Sequence, residues 1–119
     1  MLRLAVHDQF RSWIQLPAHI EANGADRRLI PQTWADGLLT GLGAPNFAIL
    51  QQGRVRVVTV GEQAIVEAAR FCLERMKLVV EPSSATVLAA LRAIAPELRG
   101  RRIGAIFSGG NTDFRWLAR

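Results

Sequence analysis

Four residues toward the carboxyl end, Ser108-Gly109-Gly110-Asn111, have the types and spacing of a ligand-facing turn. They follow directly on Arg102-Ile103-Gly104-Ala105-Ile106-Phe107, which reads as a buried strand stopping at a turn poor in side chains, where backbone can approach a ligand closely. In an open parallel α/β sheet, ligands bind just past the carboxyl ends of the strands. Ser, Gly and Asn are also ordinary turn residues, so the rest of the chain has to decide between the two readings. Glu81 is the second candidate, because it follows at once on apolar Leu78-Val79-Val80. A carboxylate in that position is partly desolvated, and so is paired, protonated or functional. Cys72 falls on the apolar face of a helical pattern with no histidine near it in sequence, which fits a small core residue better than a nucleophile. His7 and His19 stand alone, without the i+3 or i+4 partner or the cysteine pair of a metal site.

The elements that must carry these residues alternate. Val55-Arg56-Val57-Val58-Thr59-Val60 is a β-branched strand ending at Gly61. Glu62 to Met76 then places Ile65, Val66, Ala69, Cys72, Leu73 and Met76 on one helical face, with Glu62, Glu67, Arg70, Glu74 and Arg75 on the other. Leu78 to Val80 is a short strand closed by Glu81-Pro82. Ser83-Ser84 then cap a helix in which Ser84, Val87, Leu88, Leu91, Ile94 and Ala95 recur until Pro96. Gly100 turns the chain into Ile103 to Phe107. Strand, helix, strand, helix, strand with continuous apolar strands predicts an α/β fold with a parallel sheet and right-handed crossovers. Gly61, Glu81 and Ser108 should then line one edge, with Lys77, the single lysine, at the opposite one. Upstream, Leu2 to Val6 reads as a short strand. Gly37, Gly41, Gly43 and Pro45 divide residues 33–50 into short helical turns and bends.

Composition sets the frame. The 119 residues are half apolar, which suits one globular domain and excludes disorder. No apolar run approaches the roughly 20 residues of a membrane span, the start lacks the apolar core of a signal peptide, and a single cysteine suits a reducing compartment, so the cytoplasm is the expected location. The net charge of +5 comes from arginines that are mostly scattered, with clusters only at Arg27-Arg28 and Arg99 to Arg102 and no interleaved aromatic residues. A solvated surface is expected, with neither nucleic acid nor membrane as partner.

Ala35-Asp36-Gly37-Leu38, Val57-Val58-Thr59-Val60, Glu74-Arg75-Met76-Lys77-Leu78-Val79-Val80-Glu81-Pro82-Ser83 and Ser108-Gly109-Gly110-Asn111, in that order, resemble the C-terminal portion of serine/threonine dehydratases and serine racemase, the fold-type-II pyridoxal-phosphate enzymes. The resemblance covers about residues 20–119 and leaves 1–19 as a separate, unassigned segment. It implies a three-layer open sheet, mainly parallel, with flanking helices, forming part of the fold-type-II domain. It also implies pyridoxal phosphate as cofactor and a small amino acid as substrate, with water eliminated and ammonia released to leave a 2-oxo acid. By resemblance Ser108 pairs with the pyridine nitrogen of the cofactor, and Gly37, Gly109 and Asn111 lie against the cofactor. Glu81 lies beside cofactor and substrate. A neutral hydroxyl on the ring nitrogen makes the ring a weaker electron sink, which suits β-elimination over transamination.

Two departures shape what to expect. The family's Schiff-base lysine and phosphate-binding glycine loop, which precede the matching segment, are both missing from this sequence. The chain alone is therefore expected to be catalytically inactive: a fragment, one half of a split enzyme, or a non-catalytic remnant, and one prone to self-association through an incomplete sheet. Glu21 and Ala25 match two ligands of the family's cation loop. Arg27 stands where its aspartate falls, however, and a guanidinium repels a divalent cation, so none is expected there.

Overall fold

The computed structural model describes residues 4–7, 33–39, 44–52 and 56–118. Two strands, β1 (Leu4–His7) and β2 (Arg56–Thr59), pair in parallel with Leu4 opposite Arg56 and His7 opposite Thr59. A 3₁₀ turn covers Asp36–Leu38 and helix α1 covers Ala44–Gln52. The glycine-rich stretch thus holds a helix of nine residues where only short turns were expected. Pro45 does not interrupt it, because it sits in the first turn, where a missing N–H leaves no intrahelical bond unmade.

Helix α2 (Glu62–Phe71) begins directly after β2 and runs on into a π-helical turn, Cys72–Met76. The helix closes at Lys77, whose φ of 59° and ψ of 32° are left-handed, and Leu78 N–H donates back to the Cys72 carbonyl at 2.9 Å. Such a bond satisfies a carbonyl that the helix end would otherwise leave open. Met76, expected on the buried face, is exposed because the chain leaves the helical path there.

Helix α3 (Pro82–Ala93) starts earlier than Ser83-Ser84 capping implies. Glu81 is its N-cap residue, in extended backbone, and Pro82 takes the first helical position, which its fixed φ suits. The buried face differs too. Ser84, Ala85, Thr86, Ala89 and Ala90 point inward, while Leu88 and Leu91 are half-buried at the rim. The cause is close helix packing: Ala68 and Ala69 of α2 and Ala85, Ala89 and Ala90 of α3 are all nearly inaccessible, and small side chains let two helices approach. The core is completed by Ala35, Val58, Val60, Ile65, Val66, Cys72, Val80, Ile94, Leu98 and Trp116.

Two expected strands are not strands among the described residues. Residues 78–80 and 103–107 lie in irregular backbone, and Leu78, Val79, Ile103 and Ile106 are exposed, the last at 83%. Apolar sequence gives a strand its preference, but the strand itself needs a neighbour to complete its ladder. One backbone bond marks the contact between the ends of the two segments: Glu81 N–H donates to the Gly109 carbonyl at 3.1 Å. The fold is α/β, with a two-stranded parallel sheet among the described residues in place of the larger one expected. No helix among them is long and apolar enough to cross a membrane.

Candidate functional site

The start of α3 gathers the candidate residues. Ser83 and Ser84, adjacent on its first turn, reach in different directions. Gly37 N–H donates to Ser83 Oγ at 2.9 Å and to its neighbour Asp36 Oδ1 at 2.8 Å, and the Ser83 hydroxyl lies 3.4 Å from the same carboxylate oxygen. A Cβ at Gly37 would sit 3.0 Å from Ser83 Oγ, so the turn is held close by a residue without a side chain. Ser84 is nearly inaccessible, and its hydroxyl accepts a long bond of 3.5 Å from Gly109 N–H.

Glu81 joins the same place from the loop before the helix. Its carbonyl accepts from Ser84 N–H and Ala85 N–H, both at 3.0 Å, which turns the chain into α3. Its carboxylate lies against Gly109 so closely that a Cβ there would overlap it. Gly110 repeats the arrangement against backbone, since a Cβ on it would stand 2.6 Å from the Val79 carbonyl oxygen. Gly110 is thus required for the turn to lie against Val79, whereas a side chain at Gly109 would displace the Glu81 carboxylate.

Ser108 and Asn111 are exposed at the two ends of that turn. The tail beyond is anchored in the core. Trp116 is buried, its Nε1–H donates to Thr112 Oγ1 at 2.8 Å, and Arg70 Nη2 donates to the Leu117 carbonyl at 3.1 Å, tying the tail to α2.

Gly37, Glu81 and Gly109 are therefore brought together, with Ser108 and Asn111 flanking Gly109 and Gly110. Gly61 follows the carboxyl end of β2, as expected, and serves there as the N-cap residue of α2, where an added Cβ would meet nothing within 4 Å. Sequence reasoning gives Ser83 and Ser84 a capping role and misses them as links to the two glycines. Pro82 is the available signal, because a proline at the first helical position puts the cap one residue before it, at Glu81.

Other candidates fall away from the site. Lys77 Nζ donates to the Glu74 carbonyl at 2.8 Å, at the end of the helix it closes. Cys72 is fully buried, and desolvation pushes its thiol up from the ordinary 9.0, partly offset by the charge of Arg92. A thiol so placed is inert at neutral pH. Glu21, Ala25 and Arg27 lie outside the described residues, among which no cluster of His, Cys, Asp and Glu could hold a metal ion.

A flat aromatic cofactor at this turn would find the exposed Ser108 hydroxyl as a neutral partner for a ring nitrogen, while the bare faces of Gly37, Gly109 and Gly110 are turned to Ser83, Glu81 and Val79. The described residues supply no lysine amine for an aldehyde, since Lys77 is engaged at its helix end.

Comparison with known proteins agrees with that chemistry. The sequence pattern of the family described as "Pyridoxal-phosphate dependent enzyme" matches residues 10–109. The chain is 44% identical over 89 residues to an L-threo-3-hydroxyaspartate ammonia-lyase of a Pseudomonas species, covering 74% of this chain and 28% of that protein. It is 40% identical over 89 residues to a serine racemase of Schizosaccharomyces pombe, with the same coverage. The crystal structure of a T.th. threonine deaminase superimposes with a TM-score of 0.76 at 37% identity, over 95% of this chain and 36% of that one. The chain thus spans under a third of the length of these curated relatives. On the match over residues 10–109, the chain belongs to the pyridoxal-phosphate dependent enzyme family.

Proposed function

We propose that this chain is the cofactor-facing C-terminal part of a pyridoxal-phosphate dependent lyase acting on serine or threonine. The net reaction removes the α-hydrogen and β-hydroxyl as water, then exchanges the amino group for oxygen from water, giving a 2-oxo acid and ammonia. The observation that carries the reading is the convergence of Gly37, Glu81 and Gly109 on the first turn of α3. Relatives named as a hydroxyaspartate ammonia-lyase, a serine racemase and a threonine deaminase support a small hydroxy amino acid as substrate. In the whole enzyme the sheet would be open and mainly parallel, with helices on both faces, and residues 20–119 would form its C-terminal part.

When bound, pyridoxal phosphate supplies an electron-accepting ring that draws charge from the substrate's α-carbon. The chain's own residues hold and tune it. Ser108 presents its hydroxyl to the ring nitrogen, Gly37 and Gly109 offer backbone to the ring, and Asn111 borders them. Glu81, fixed by its backbone bond to Gly109, presents a carboxylate beside the substrate.

A second reading, in which the chain completes a separately encoded half and has no catalysis of its own, is favoured by the exposed Leu78, Val79, Ile103 and Ile106. Both readings predict that the chain alone releases no ammonia. Co-expression with a polypeptide carrying the family's lysine and glycine loop distinguishes them: ammonia release from serine or threonine supports the lyase, and a stable but inactive complex supports the interaction module. In an active complex, Ser108→Ala should weaken cofactor affinity about fivefold or more, corresponding to a lost hydrogen bond of about 1 kcal/mol. Unchanged cofactor affinity and turnover would remove Ser108 from the site.

A further inference from the structure

We propose that Glu62 is a positioning residue for the Gly37 turn, resting on the reading of Gly37 as a cofactor-facing residue. Glu62 is the first residue of α2, where a carboxylate normally turns back on the free N–H groups of its own helix. Here Oε2 instead accepts from the backbone N–H of Trp34, 28 residues away, at 2.9 Å. Oε1 is buried and has no hydrogen-bond partner among the described residues. A buried carboxylate oxygen without a partner is costly, and the geometry that strands it is the one that brings Oε2 to the Trp34 amide.

Trp34 leads straight into the turn that carries Gly37. Ala35, fully buried, donates its N–H to Thr33 Oγ1 at 2.9 Å, and its carbonyl accepts from Leu38 N–H at 2.9 Å, closing the 3₁₀ turn. The turn is thereby gripped on two sides. Glu62 of α2 holds it by the Trp34 amide and Ser83 of α3 holds it by the Gly37 amide. Because α2 and α3 pack on each other through the core, the two grips share one rigid frame. Gly37 is set by that frame and not by the turn's internal bonds alone.

The role needs an acceptor oxygen at the end of a side chain of this length, and not a charge. Glutamine keeps the length and one carbonyl oxygen, whereas aspartate keeps the charge and retreats by one methylene. Amide hydrogen exchange of Trp34 and Gly37 in the full chain therefore separates the alternatives. Glu62→Gln should leave both amides protected. Glu62→Asp should speed exchange of both on the order of tenfold, with the amides of α2 and α3 unchanged. Ser83→Ala should speed Gly37 by a smaller factor, because Asp36 Oδ1 still accepts its N–H, and should leave the Trp34 amide protected. The proposal is overturned if aspartate keeps protection, if glutamine loses it, if all amides change together, or if Gly37 is unprotected in the parent chain. The measurement needs no cofactor. Failure of a completed complex to bind pyridoxal phosphate would count against the function proposed above, while the Trp34 and Gly37 amides decide this one.

Discussion

The α2–α3 helix pair and the segments 78–80 and 103–107 are both rich in apolar residues, yet one is buried and the other lies largely open. The helices satisfy their backbone within themselves and need only a face for each other, which alanines at 68, 69, 85, 89 and 90 supply. The apolar segments depend on neighbours to either side for hydrogen bonds, and among the described residues they meet each other at the Glu81–Gly109 bond. Local sequence is therefore sufficient for a helical pair and insufficient for the middle of a sheet. The candidate site sits on the seam between the two regions, at the first turn of α3.

The comparison is tested most severely by truncating one isoleucine in each region. Ile65 is fully buried, and Ile65→Ala should cost about 2–5 kcal/mol through lost burial and the cavity left behind. Ile106 is 83% exposed, and Ile106→Ala should stay within about 0.5 kcal/mol. Urea unfolding of both variants reads the difference, and similar losses would show that residues 103–107 are buried in solution, erasing the contrast.

Glycines give a smaller and more local test. Gly110→Ala would place a Cβ 2.6 Å from the Val79 carbonyl, so the turn must move away from residues 79–81, at a cost of about 1–3 kcal/mol. Gly104, in the exposed segment, has nothing within 4 Å of such a Cβ, and Gly104→Ala should be silent. Thermal unfolding distinguishes them. A silent Gly110→Ala would mean that the turn does not rest on Val79, and would detach Ser108 from the site.

What can be read from sequence follows the same division. The amphipathic pattern of residues 62–76 locates α2, because Ile65, Ala69 and Cys72 recur at helical spacing and are all buried. The same reasoning misjudges the face of α3, because periodicity weights Val87, Leu88 and Leu91, while the packing selects Ala85, Ala89 and Ala90, whose small size is the reason the helices come close. Glu81 and Gly109 are both singled out by their sequence context, but the link between Gly109 and α3 runs through Ser84, a residue whose type predicts a cap as readily as a contact. Charge alone assigns Glu62 to the solvent face. Nothing within α2 signals that its partner is a backbone amide 28 residues upstream.

A smaller effect than at Gly110 is expected at Lys77, which joins the two regions. Its left-handed backbone costs an ordinary residue about 1–2 kcal/mol, and its ammonium recovers part of that by bonding the Glu74 carbonyl at 2.8 Å. The bond is exposed, so water replaces the ammonium when it is lost and the net loss is small. Asparagine tolerates the left-handed region without the extra unfolded-state freedom of glycine. Lys77→Asn should therefore stabilise the chain by about 0.5 kcal/mol, seen as a higher urea midpoint at an unchanged slope. It should also leave cofactor binding in a completed complex untouched, since the amine serves the helix end. A lower midpoint would mean that the ammonium bond outweighs the backbone term, and that the junction between α2 and residues 78–80 is held by this side chain more than by the turn itself.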